Sequence, residues 1–442
     1  MAARDMLSDM RVLTLALALL ALVGHAHAQP APVPGAPAAL SAQSAAEGPP
    51  RDYLAEVRAN FTPENRAYAS ARVALGFIEP FYMVLVSAIL LFTGLSARMR
   101  DLAHALGGRR YARVLAYLVL YSAVGFVLAL PLLWYEGFAL EHRYGLSNQS
   151  LGAWLEEQGK IVMFEVLFLG VIPILALAYR SVERHPRSWW LRLGAWSLPL
   201  VTALVLIDPL VLEPAFNQFT PLADQHLKAR ILALAERAGV PARKVYQVDR
   251  SAQTNKYNAY VSGFGPSQRV VLWDTTLRGM TEDEILFVTG HEIGHYRLLH
   301  IWKGIVVFSG TSLIVLLLTW LAATPLARRF GPRWGFGSLH DVASVPLLAA
   351  LLDLSVFLIQ PATMAFSRRI EHEADIFALE LTHANDAGAR AFLKLGSQNR
   401  SDPEPSRFVE FFEYSHPPLA ERVRFAIEYR PWEQGRPGRL YR

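Results

Sequence analysis

The chain contains no cysteine. Disulfides, thiolate metal sites and thiol nucleophiles are therefore excluded, and cysteine usage says nothing about compartment. Charge is also scarce. Only 18% of the 442 residues are Asp, Glu, Lys or Arg, against about 25% in an ordinary soluble domain. No sign dominates, since 43 basic residues face 38 acidic ones for a net charge of +5. The arginines sit between apolar runs rather than in one stripe, which argues against nucleic-acid binding. Disorder is excluded by the 52% hydrophobic content. What this composition leaves is a polytopic membrane protein with a globular part.

The first 28 residues read as a secretory signal. Arg4 and Arg11 precede a short apolar stretch (12–23), and Ala26-His27-Ala28 supplies a small-residue cleavage pattern. The alternative is a short, uncleaved first membrane helix. Residues 29–52 form an Ala/Pro-rich linker expected to be disordered. Six apolar runs of spanning length follow, at 73–95, 114–134, 161–179, 193–212, 304–326 and 342–366. They divide the chain into an N-terminal membrane region with four spans (53–212), a polar part (213–303), a two-span hairpin (304–366) and a C-terminal part (367–442). No internal repeat is evident, which argues against a transporter of duplicated halves. Within the polar part, helical periodicity covers 224–238, and strand-like runs lie at 245–248, 258–262 and 269–273. The expected fold is mainly α, a polytopic helical membrane barrel or bundle with a small α+β domain.

Orientation follows from the loops. Twelve arginines, from Arg98 to Arg333, lie in three loops on one side, whereas residues 135–160 on the other carry only Arg143 and Lys160. The positive-inside rule places the arginine-rich loops in the cytoplasm. The polar part and the C-terminal part then face the other side, the periplasm of a bacterial inner membrane.

The sharpest chemical signal is His291-Glu292-Ile293-Gly294-His295. Residues i and i+4 share a helix face, so both imidazoles can point at one metal ion with Glu292 beside them. Thr281 and Glu284 form a capping box at the start of that helix. Catalytic zinc takes three protein ligands and a water. Without cysteine the third ligand comes from His, Asp or Glu, and the best candidate is Glu371. Two spans separate it from His295, so the chain returns to the same membrane face. Asp375, one turn further on, can accept a hydrogen bond from a ligating histidine. Glu373 points roughly 200° away from Glu371 and is a weaker ligand candidate.

With these motifs in hand, the chain from about Tyr53 onward resembles the integral-membrane zinc endopeptidases typified by the type I CAAX prenyl protease, a gluzincin family. Besides the zinc motif and Glu371-x-x-x-Asp375, the resemblance rests on Asn258-Ala259-Tyr260-x-x-Gly263 and His416-Pro417-Pro418-x-x-x-Arg422. Residues 138–146 and 214–222 also resemble family sequence. The resemblance implies one zinc ion per chain held by His291, His295 and Glu371, with Glu292 as general base. It implies that His416 stabilises the oxyanion or positions substrate, that Arg422 fixes Asp375 and Glu371, and that Asn258, Ala259 and Tyr260 lie at an edge strand that pairs with substrate. The implied partners are a peptide or protein substrate and the lipid bilayer, and nothing here defines an oligomeric state. Prenylation is a cytosolic modification, so the orientation makes envelope or membrane polypeptides at least as good a fit as prenylated CAAX substrates.

Glu79, Glu165, Asp208 and Asp353 lie inside apolar runs and require a reason. Two readings stand: they line a hydrated chamber, which the family's helices enclose, or they pair with arginines near span ends. A rival from another functional class is a metal-binding membrane carrier or scaffold. It would not need Glu292 beside the two histidines.

Overall fold

The computed structural model describes residues 51–441 except 163–170, 208–217, 242–243, 253 and 264–267. The expected signal segment and nearly all of the linker lie outside the described residues, as do Glu165 and Asp208. The membrane region comprises α1 (Tyr53–Asn60), α2 (Pro63–Phe92), α3 (Leu95–Ala105), α4 (Arg110–Trp134), α5 (Leu140–Arg143), α6 (Leu151–Ile161), α7 (Val171–Arg184) and α8 (Trp189–Ile207). The α/β part follows as β1 (Phe219–Pro221), α9 (Gln225–Arg237), β2 (Lys244–Val248), β3 (Ala259–Ser262), β4 (Arg269–Trp273), α10 (Asp274–Gly279) and α11 (Glu282–Arg297). The chain then forms α12 (His300–Phe330), α13 (Val345–Thr382), α14 (Asn385–Gln398), α15 (Arg407–Glu413) and α16 (Leu419–Glu428).

Among the described residues, five helical segments are long and apolar enough to cross a bilayer: Pro63–Phe92, Arg110–Arg143, Trp189–Ile207, His300–Trp334 and Val342–Thr382. They coincide with five of the six expected runs. The remaining run, 161–179, crosses residues 163–170 and lies partly outside the described residues. Local chemistry sets the helix starts. In α2, Thr62 caps the first turn, its Oγ1 accepting from Asn65 N at 3.1 Å, and Pro63 occupies the position where a missing N–H costs nothing. Asp224 caps α9 in the same way, at 3.0 Å from Leu227 N.

The four strands form one sheet of order β1-β2-β4-β3, with β2 and β4 parallel and the outer pairs antiparallel. Val270 and Leu272 of β4 are fully buried against α9, α11 and α14, the apolar core of the catalytic part. A second core, including Leu90, Tyr117, Leu118, Trp154 and Tyr179, lies within the membrane bundle.

Two features bring the site together. First, α13 is a single helix of 38 residues, about 57 Å at 1.5 Å per residue, against about 30 Å of hydrocarbon. It therefore runs on beyond its apolar portion and carries Glu371 and Asp375 to α11. Second, α11 lets it approach closely. A Cβ on Gly294 would stand 3.1 Å from the Phe377 ring, and one on Gly290 3.2 Å from Thr382. Larger residues there would push the helices apart. The capping box at Thr281 is present, with Glu284 accepting from Thr281 N at 2.8 Å. The same carboxylate is wholly buried and receives Lys394 at 2.7 Å and Arg390 at 3.1 Å, which ties α11 to α14.

Candidate metal centre

His291 and His295 occupy one face of α11, and Glu371 faces them from α13. One ligand atom from each residue lies within 4.8 Å of the others, a group able to hold a metal ion. His291 Nε2 and His295 Nε2 are 3.1 Å apart, and they lie 3.3 and 3.5 Å from the two Glu371 oxygens. Ligands placed tetrahedrally at about 2.0–2.1 Å from one ion stand about 3.3 Å from each other. The two imidazole nitrogens stand near that spacing, and one Glu371 oxygen completes a group whose three atoms lie within 4.8 Å. Both Glu371 oxygens are buried and face imidazole nitrogens, with His291 at 3.3 Å, His295 at 3.5 Å and His416 at 3.1 Å, so a cation held there would offset the cost of burying the carboxylate charge.

The far side of each imidazole is anchored. Asp375 Oδ1 stands 2.9 Å from His291 Nδ1. Arg422 grips Asp375 with two bonds of 2.9 and 2.7 Å, and its Nη2 reaches to 3.9 Å from Glu371. Behind His295 stands His300, its Nδ1 3.0 Å from His295 Nδ1 and its Nε2 3.2 Å from Glu373. With Nε2–H donated to Glu373, His300 Nδ1 accepts from His295 Nδ1–H. That arrangement leaves His295 Nε2 unprotonated on the side of Glu371. Sequence reasoning did not single out His300, and it set Glu373 aside because that side chain points away from Glu371. Glu373 does point away, and it meets His300. The signal was hidden because Leu299, between the two helices, adopts a left-handed backbone (φ 59°) that its residue type does not announce.

Without metal, the two imidazoles differ. Burial would lower His291, but the Asp375 and Glu371 carboxylates beside it outweigh that and raise it to about 9. Burial dominates at His295 and holds it well below the ordinary histidine value. Metal-free, the pair takes up one proton where the ion would sit.

Family profiles match nearly the whole described chain. One described as peptidase family M48 covers residues 221–430, and one described as CAAX prenyl protease N-terminal, five membrane helices, covers 40–218. An uncharacterized metalloprotease, YhfN of Bacillus subtilis (strain 168), is 32% identical over 76% of this chain and 79% of its own length. The chain belongs to peptidase family M48. CAAX prenyl protease 1 of Saccharomyces cerevisiae is 30% identical over 72% of each chain. The crystal structure of S. mikatae Ste24p superposes with a TM-score of 0.71 at 25% identity, covering 84% of this chain and 89% of that one. This M48 protein is thus an integral-membrane metalloendopeptidase with a small catalytic α/β part.

The other expected site residues gather nearby. Glu292 is buried on α11 between the two histidines. His416 follows α15 and brings Nε2 to 3.1 Å from Glu371, while its Nδ1 lies 2.9 Å from Ser415 Oγ. Ala259 and Tyr260 belong to β3, which pairs with β4 on one side and, among the described residues, with no strand on the other. Asn258 stands one residue before β3 and is 3% exposed. Its backbone exchanges hydrogen bonds with Thr276, and its side chain accepts from Ala259 N. Of the intramembrane acids, Asp353 lies within electrostatic reach of Glu79.

Proposed function

We propose that this M48 protein holds one zinc ion on His291, His295 and Glu371 and cleaves envelope or membrane polypeptides on the periplasmic side of a bacterial inner membrane. The observation that carries the reading is the convergence of two imidazole nitrogens and a buried carboxylate, one ligand atom from each within 4.8 Å of the others, from helices α11 and α13. Nitrogen and oxygen donors of this kind suit zinc. Bound there, zinc supplies an acidified water and polarises the scissile carbonyl.

The chain's own groups do the rest. An extended peptide adds to the open edge of β3, where main-chain hydrogen bonds align it while Asn258 holds the entry to the strand. Glu292 accepts a proton from the attacking water as the new C–O bond forms and then delivers it to the amine nitrogen, so that the peptide C–N bond breaks with a neutral amine leaving. His416 donates a hydrogen bond to the oxygen on which negative charge develops. Asp375 and Arg422 keep His291 oriented, as His300 and Glu373 keep His295.

Metal analysis of the purified protein tests the ligand set. One zinc per chain in the wild type and a loss of most of it in Glu371→Ala are expected; equal zinc content in the two would refute the assignment. Reporter fusions at Gly279 and Arg442 test the orientation, and cytoplasmic signals at those points would overturn it.

A further inference from the structure

Helix α15 has the sequence Arg407-Phe408-Val409-Glu410-Phe411-Phe412-Glu413 and buries none of its residues fully. At seven residues it is too short to span a bilayer. It does not rest on the α/β part but between α2 and α13, against their apolar portions. Phe408 stacks on Phe77 of α2 with ring centroids 5.6 Å apart, and Phe412 stacks on Phe357 of α13 at 5.5 Å. Phe77 lies four residues inside the apolar run of α2, and Phe357 nine residues inside that of α13. At 1.5 Å per residue these are depths of about 6 and about 14 Å below the catalytic end.

The surface it occupies is identifiable. Within its apolar run, from residue 73 onward, the exposed residues of α2 are Ala74, Ile78, Phe81, Leu85, Ile89 and Phe92. They recur every three or four residues, are all apolar, and form one stripe of the kind that faces lipid. At 100° per residue, Phe77 lies about 40° from Phe81, at the border of that stripe, whereas Glu79 lies about 160° away. Phe81 touches Phe357 at 5.3 Å. Phe408 and Phe411 remain 61% and 51% exposed, next to Phe81 at 52%.

The two carboxylates of α15 turn the other way. Glu413 receives Gln360 of α13 at 3.0 Å, and Glu410 lies 3.7 Å from Arg368. The carbonyls left open at the helix end are also met from α13. Gln360 donates to Phe412 O at 2.9 Å, and Arg368 to Glu410 O and Tyr414 O at 2.6 and 2.8 Å. Lipid-exposed backbone requires this kind of internal satisfaction.

We propose that α15 is a membrane-embedded wedge, with Phe408 and Phe411 packed against lipid acyl chains beside spans α2 and α13. His416 follows three residues later, so the bilayer contact sits directly upstream of a residue at the metal centre.

The absence of native cysteine makes the test direct. Phe408→Cys and Phe411→Cys, each spin-labelled in liposomes, would be compared with Leu358→Cys on α13, which is 67% exposed, and with Ala229→Cys on the exposed face of α9. Oxygen accessibility like that of Leu358, with little access to a water-soluble nickel relaxant, is expected. Relaxant access like that of Ala229 would place α15 against water and overturn the proposal. Shielding from both reagents would mean that protein covers it, a second copy or bound polypeptide, and would overturn it equally. In the unsubstituted chain, a phospholipid carrying a diazirine on its acyl chain should label the 407–413 peptide. A label absent from that peptide but present on α2 would contradict the assignment without relying on any variant.

Discussion

Replacing Arg422 by alanine should damage both stability and metal retention, by amounts that follow from its surroundings. Its side chain is 12% exposed and makes a two-bond fork to Asp375, which is wholly buried. Without the guanidinium, a buried carboxylate keeps His291 as its one remaining charge partner. Removing one member of a buried pair costs about 3–5 kcal/mol. The guanidinium also lies 4.3 Å from the Phe392 ring centroid, and losing that contact adds about 0.5–2 kcal/mol. Against the 5–15 kcal/mol that holds a typical protein folded, the loss is large. In detergent, with chelator present so that metal does not mask the effect, the thermal midpoint should fall by roughly 10 °C. Metal affinity should weaken about 10–100-fold, because Asp375 no longer holds His291 in place. Arg422→Lys keeps the charge but loses the fork and should fall between. In a double-mutant cycle with Asp375→Asn, the second substitution should cost far less once the first is made. An Arg422→Ala protein within about 0.5 kcal/mol of wild type, with unchanged metal affinity, would refute the reasoning.

His300→Ala should weaken metal binding about 10–100-fold, measured by competition with a chromophoric chelator, and Glu373→Gln should weaken it less. Gly294→Val should separate α11 from α13 at Phe377, costing about 1–3 kcal/mol and lowering metal content. The metal-free protein should lose stability as pH rises from about 6.5 to about 9. The proton on His291 is bound more tightly in the folded state, so its contribution is complete below the unfolded histidine value and disappears as pH passes about 9. Denaturant midpoints across that range should show the decline, and saturating zinc should flatten it because zinc displaces the proton.

How much could be read from the residues alone depended on how local the determinants were. The Thr281–Glu284 cap, the strands at 245–248 and 269–273, and helix α9 are set by neighbours in sequence, and the structure has all four. The pairing of α11 with Glu371 was legible through topology, since two crossings return the chain to the same face. Other features depend on distant partners. β1 is three residues ending in Pro221 and is a strand only because it pairs with β2. The His295–His300–Glu373 chain crosses a helix break at Leu299 that residue type does not mark. The Glu284 clamp hides a second function in a capping residue, since Arg390 and Lys394 lie more than 100 positions away. Helix α15 has too few residues to register as a membrane element, and its placement is set by aromatic contacts with α2 and α13.

The central claim is that Glu292 moves the proton for a hydrolysis that depends on the metal. Purified protein should cleave a fluorogenic peptide library, lose that activity to a chelator and regain it with zinc. Glu292→Gln should retain one zinc per chain yet cleave at least about a hundredfold more slowly, the scale of general-base catalysis. A Glu292→Gln protein that binds zinc and cleaves as fast as wild type would contradict the account.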